Sequence, residues 1–66
     1  MRDVLIEALE NYLDGQIAKH SANVEIMLDR PNGVAEHPDI IATIEAELSK
    51  IAEYEDKLTV LKKYFR

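Results

Sequence analysis

One interruption constrains this chain more than any other feature. The stretch LDRPNGVAEHPDI, residues 28 to 40, holds both prolines, one of the two glycines and one of the two histidines. On either side the sequence reads as amphipathic helix. From Ile6 the apolar residues recur at Leu9, Leu13, Ile17, Val24 and Met27, with His20 in the remaining slot. Ile41, Ile44, Leu48, Ile51, Tyr54, Leu58, Leu61 and Phe65 repeat the pattern after the interruption. Steps of three and four are those of a helix seam. The spacing therefore predicts a helix over about 3–30, a turn over 31–37 and a helix over about 38–65. Each helix would run about 28 residues, or roughly 42 Å at 1.5 Å per residue.

Two amphipathic helices of equal length on a short connector bury both seams by folding back on each other. The expected fold class is thus all-α, an antiparallel two-helix hairpin forming a single domain over residues 1–66. The connector suits this. Pro31 cannot continue the first helix, and Asn32-Gly33 supplies turn chemistry that tolerates positive φ. Pro38 fits the first position of the second helix, where its missing N–H costs nothing, with His37 near the N-cap and Asp39 adding charge to the positive dipole end. Histidine is a poor cap, so the boundary could fall a residue or two earlier.

Folding about Val34 makes positions summing to roughly 68 face each other in an antiparallel hairpin. Asp3, Glu7 and Glu10 then come near Lys62, Lys63 and Arg66, which favours this orientation although each exposed pair is worth only about 0–1 kcal/mol. Gly15 is a local inconsistency, because a glycine inside a helix costs about 1 kcal/mol relative to alanine. Ala8, Gly15 and Ala22 recur every seven residues, as do Ala35, Ala42 and Ser49, with Ala46 and Ala52 nearby. The pairing places Gly15 near Ala52 and Ala22 near Ala46, so a close backbone approach is expected there; a kink after Asp14 is the competing reading.

The helices carry more apolar surface than one seam consumes. Leu5, Tyr12, Ile26 and Leu28 in the first, with Ile40, Val60 and Tyr64 in the second, are the candidate interaction residues. Contiguous exposed apolar area marks an interaction surface. The simplest cover is self-association into a four-helix bundle, with a homodimer favoured. Size points the same way: a chain of 66 residues without cysteine has neither a large core nor a disulfide or thiolate site to brace it.

Composition bounds the function. Residues are 47% hydrophobic and 32% charged, which fits a folded helical protein and not a disordered one. Thirteen acids against eight bases give a net charge of −5, which opposes binding to a phosphate backbone, so no nucleic-acid partner is expected. No apolar run approaches the roughly 18–20 residues of a membrane span, and Met1-Arg2-Asp3 does not open like a signal peptide. A cytoplasmic protein without a membrane partner is expected.

Signs of chemistry are sparse. Glu36, His37 and Asp39 lie together in a turn, but helical metal sites present ligands at i, i+3 or i, i+4 from several helices, so a solvated turn histidine is the plainer reading. His20, on the apolar stripe, reads as a core or interface histidine with a hydrogen-bond partner. Ser21 and Ser49 lie in no nucleophile motif, and no Gly-rich phosphate loop is present. Lys62, Lys63 and Arg66 read as a favourable helix C-terminus. The most enzyme-like pattern is Glu7-x-x-Glu10 with Glu53-x-x-Asp56. It resembles the E-x-x-E and E-x-x-D motifs of all-α nucleotide pyrophosphatases, whose facing carboxylates hold Mg²⁺ against substrate phosphates. The gap between the motifs is longer than that family's, no basic phosphate clamp accompanies them, and the hairpin register leaves them a turn or more apart.

Residues 23–58, NVEIMLDRPNGVAEHPDIIATIEAELSKIAEYEDKL, resemble a family of small acidic proteins of T-even-type tailed phages, including those of marine cyanobacteria. In that family a helix, a Pro/Gly turn with an acid-His pair and an Ile/Glu/Ala-rich helix recur. The resemblance implies expression inside an infected bacterium and binding to a phage or host protein; it transfers no functional residue. The reading is therefore a non-enzymatic structural or protein-interaction module, as a phage accessory or regulatory factor, with no catalytic, cofactor or metal residues. The alternatives are a Mg²⁺-dependent nucleotide pyrophosphohydrolase-like enzyme and an acidic mimic of nucleic acid.

Overall fold

A computed structural model describes residues 1–30 and 39–66. They form two helices, α1 (Arg2–Asp29) and α2 (Ile40–Tyr64), packed side by side. The molecule is a rod of 46 × 15 × 15 Å, about the length of one 28-residue helix. The order of cross-helix contacts makes the pair antiparallel. The Arg2 guanidinium donates to the Phe65 carbonyl, His20 meets Glu47, and Arg66 reaches back to Glu10. The first two lie within one residue of the pairing expected from folding about Val34, whereas Glu10 lies eight residues along α1 from the position opposite Arg66. That residue and the rest of 31–38, including Pro31, Asn32-Gly33, Ala35, Glu36, His37 and Pro38, lie outside the described residues.

The boundaries shift slightly for reasons of capping. Asp39, and not His37, is the N-cap of α2: its carboxylate accepts from the Ala42 N–H at 2.9 Å, and the Thr43 hydroxyl donates to the Asp39 carbonyl at 3.0 Å. Aspartate is among the best N-caps, so the helix begins at Ile40, two residues later than the spacing suggested. At the far end Lys62 and Lys63 lie in the last turn of α2, beside the negative dipole end.

Only Ile6 and Leu13 are buried among the described residues, at 7% and 6% exposure. Around them Ile17, Val24 and Met27 of α1 and Ile40, Ile44, Ile51, Tyr54, Leu58 and Leu61 of α2 are half-buried. Four residues assigned to the seam from spacing lie outside it. Leu9, Ile41, Leu48 and Phe65 are all exposed, Ile41 the most at 74%. In α2 the seam runs one residue earlier through the first two turns, at Ile40 and Glu47 in place of Ile41 and Leu48. The cause is polar: Glu47 is the partner of His20, and a carboxylate cannot face that imidazole unless the register places Ile40 inward too. Ile40 is accordingly a seam residue and not part of an outer face.

Gly15 also departs from expectation. α1 is continuous through it, its φ is not positive, and a Cβ added there would meet nothing within 4 Å. Ala8, Ala22, Ala42, Ala46, Ser49 and Ala52 are exposed as well. The small residues line the solvent side and mediate no close approach, because the bulkier Ile6, Leu13 and Ile17 take the seam. Gly15→Ala should therefore raise stability by about 1 kcal/mol through helix propensity alone. Urea denaturation checks this, with the midpoint moving up and the slope unchanged.

Candidate functional site

Two features stand out from the plain helical surface: a polar layer across the middle of the seam and an apolar groove near the chain ends.

The polar layer is built on Glu47. One carboxylate oxygen accepts from His20 Nδ1, and the other accepts from Asn23 Nδ2 at 3.2 Å. His20 and Asn23 are three apart on α1, so one face presents both donors to a single acid on α2. The layer is well shielded, with side-chain exposures of 12% for His20 and 19% for Glu47. An ionised carboxylate only accepts, so this contact places a proton on Nδ1 of His20. The His20 ring stacks on Tyr54 with centroids 6.0 Å apart and planes 14° from parallel, and Tyr12 meets Tyr54 edge-on at 6.3 Å. Both ring positions are thus held by packing.

The hydrogen bond from His20 holds the Glu47 carboxyl below its ordinary value of 4.5, with Asn23 adding to the effect and burial opposing it. Glu10 is lowered in the same way by hydrogen bonding to Arg66, again against burial, with the charge of Lys62 assisting. Arg66 grips Glu10 through Nε at 2.8 Å and through Nη2, and Asp3 and Glu7 add to the field that favours its charge. The acidic start of α1 and the basic end of α2 therefore meet as the sequence suggested. Folded-state carboxyl values below the unfolded ones give stability that is complete above the unfolded value and lost as pH falls through the folded value. Melting temperature should accordingly hold from neutrality to about pH 5 and fall progressively below pH 4.5, as measured by helicity against temperature across that range.

The groove opens along the flank of the hairpin near the chain ends. Leu9 and Leu13 form one wall, with Lys57, Val60, Leu61 and Phe65 opposite and Asp56 at the rim. Its volume of about 310 Å³ is at the small end for a ligand site, and it lacks the convergent polar groups that orient small molecules. It is an apolar slot between helices. Of the candidate interaction residues, Leu5, Tyr12, Ile26, Leu28, Val60 and Tyr64 are exposed. Val60 lies in the groove wall. Leu5 and Tyr12 share a helical flank with Leu9, and Tyr64 shares one with Val60, by spacings of three and four. Ile26 and Leu28 sit toward the other end of α1. Leu9 and Phe65, assigned from spacing to the seam, are the groove residues that spacing alone misplaced.

Two of the four acids of the enzyme-like pattern are engaged in ion pairs. Glu10 is held by Arg66, while Glu53 lies between Lys50 at 3.6 Å and Lys57 at 3.7 Å on its own helix. No group of three or more histidine or acidic side chains is placed to hold a metal among the described residues. Nor is any described helix long and apolar enough to cross a membrane. Comparison of the chain with protein-family models, with curated proteins and with solved structures yields no match.

Proposed function

We propose that this chain is a non-enzymatic structural or protein-interaction module that works as a homodimer, two hairpins closing into a four-helix bundle. The observation that carries the reading is the imbalance between core and surface. Two side chains are buried among the described residues, whereas Leu5, Leu9, Tyr12, Leu48, Tyr64 and Phe65 are among many large hydrophobic groups left about half-exposed or more. A compact monomer of this mass, 7.5 kDa, exposes about 4,200 Å², and the hairpin exposes 5099 Å². A rod with this much wet apolar surface gains by covering it.

The resemblance of residues 23–58 to small phage proteins supports a cytoplasmic role as an accessory or regulatory factor in an infected bacterium. In that setting the same surface would dock a phage or host protein. The pyrophosphohydrolase reading is disfavoured by the ion pairs that occupy Glu10 and Glu53. Mimicry of nucleic acid finds no support in acids that alternate with apolar residues.

Sedimentation equilibrium over a wide concentration range, with helicity recorded on the same samples, tests the proposal. A stable mass of two or four chains with cooperative melting is the expected result. A poorly helical monomer would overturn self-association and transfer the apolar surface to a different protein.

A further inference from the structure

We infer that the groove flank at the chain-end half of the hairpin is the surface on which a second copy of this chain docks. The inference rests on the self-association reading above and adds which face is used. Two apolar areas compete for that role. One is the groove with its rim, Leu5, Leu9, Tyr12, Val60 and Tyr64. The other lies toward the turn on the opposite flank, where Leu28, Ile41 and Leu48 fall together by their heptad positions.

Area favours a second copy as the occupant, and shape places it on the groove. The whole rod's excess over a compact monomer, about 850 Å², is of the same order as the roughly 800 Å² that each partner loses in a standard interface. Two copies would each shed that excess in one isologous contact, without a further partner. The groove is also a concavity whose flank carries the exposed side chains Leu5, Tyr12 and Tyr64, so one surface supplies both pocket and filler, as a self-complementary patch must.

Charge selects this flank over the other. A chain with a net charge of −5 repels its own copy unless the contact face is near neutral. On the groove flank the acids Glu53 and Asp56 are accompanied by Lys50 and Lys57, and Lys50 and Lys57 both bridge to Glu53. Lys57 also lies over the Tyr54 ring at 5.3 Å, which keeps its stem flat along the apolar surface. On the opposite flank, heptad spacing from Ile41 and Leu48 collects Glu55 and Lys62 on α2, while Glu7 and Asp14 share a position on α1, so acids outnumber bases there. Docking through the groove turns these acids outward.

Val60→Glu and Leu9→Glu place a charge in the groove wall; Ile41→Glu and Leu28→Glu place one on the other flank. All four positions are exposed in the hairpin. Sedimentation equilibrium should show a two-chain mass for the unsubstituted protein and for both variants of the second pair. The groove variants should weaken association by at least about 30-fold, the effect of losing one interface hot spot. Because a hairpin deprived of its partner could also lose helix, the unsubstituted protein is examined in parallel by NMR with a soluble paramagnetic agent. The methyl signals of Leu5, Leu9 and Val60 should be protected in the associated state, and those of Ile41 and Leu48 broadened. A two-chain mass with the opposite pattern, in mutants or in methyl protection, overturns the choice of face while leaving self-association standing. A monomeric unsubstituted protein overturns both.

Discussion

Leu13→Ala should remove cooperative folding from this protein. Leu13 is the most buried of the described residues and lies where the seam meets the groove wall. Truncating a buried leucine costs about 2–5 kcal/mol, through lost transfer energy and the cavity left behind. A domain of 66 residues holds only about 3–10 kcal/mol in total at 0.05–0.15 kcal/mol per residue. With Ile6 as the one other buried side chain among the described residues, there is little remaining core to relax into the space. Thermal unfolding followed by helicity should change from a sigmoid to a shallow slope. Retention of a sharp transition within a few degrees of the unsubstituted protein would mean that the core lies elsewhere, in an interface between chains.

Removal of Glu47 is the second large effect. Glu47→Ala strips the acceptor from both His20 and Asn23 and leaves a shielded imidazole beside an apolar ring. An orphaned buried polar group costs about 1–3 kcal/mol, so a loss in this range is expected from chemical denaturation. The paired replacement His20→Leu with Glu47→Leu removes both ends of the contact. It should recover most of the loss, and even exceed the starting stability, because desolvating a polar pair offsets much of what its attraction contributes. What the double variant should lose is uniqueness. A single polar layer in an otherwise apolar seam fixes which residues face each other, and without it Ile41 and Leu48 compete with Ile40 and the residue at 47. Broadened amide signals in α2 would report that competition. If Glu47→Ala were neutral, the polar layer would be a wet surface contact of no structural consequence.

Much of this protein was legible in the order of its residues. The recurrence of Ile6, Leu13, Ile17 and Val24, and of Ile44, Ile51, Leu58 and Leu61, at steps of three, four and seven determined two helices of similar length. The Pro/Gly-bearing interruption made them neighbours on a short connection, and acids at one chain end with bases at the other agreed with the antiparallel pairing seen at Glu10 and Arg66. These features are local or depend only on length, so the sequence carries them in full. His20 was also recognisable as a seam histidine in need of a partner, since an imidazole on an apolar stripe must hydrogen-bond to something.

What only the tertiary structure decided is which partner it has, and with it the face that α2 turns inward. Spacing ranks Ile41 and Leu48 above Ile40 and Glu47, because a carboxylate in a seam looks like an error until the imidazole opposite is known. That pairing joins residues 27 apart in sequence, and no local propensity reports it. Gly15 shows the converse. A repeat of small residues suggested a close approach, yet the face holding Gly15 points to solvent, because α1 can turn only one stripe to its partner and Ile6, Leu13 and Ile17 gain more by burial. The groove arises from the same choice: once the seam settles on Leu13 and Leu61, Leu9 and Val60 are left exposed at its edge.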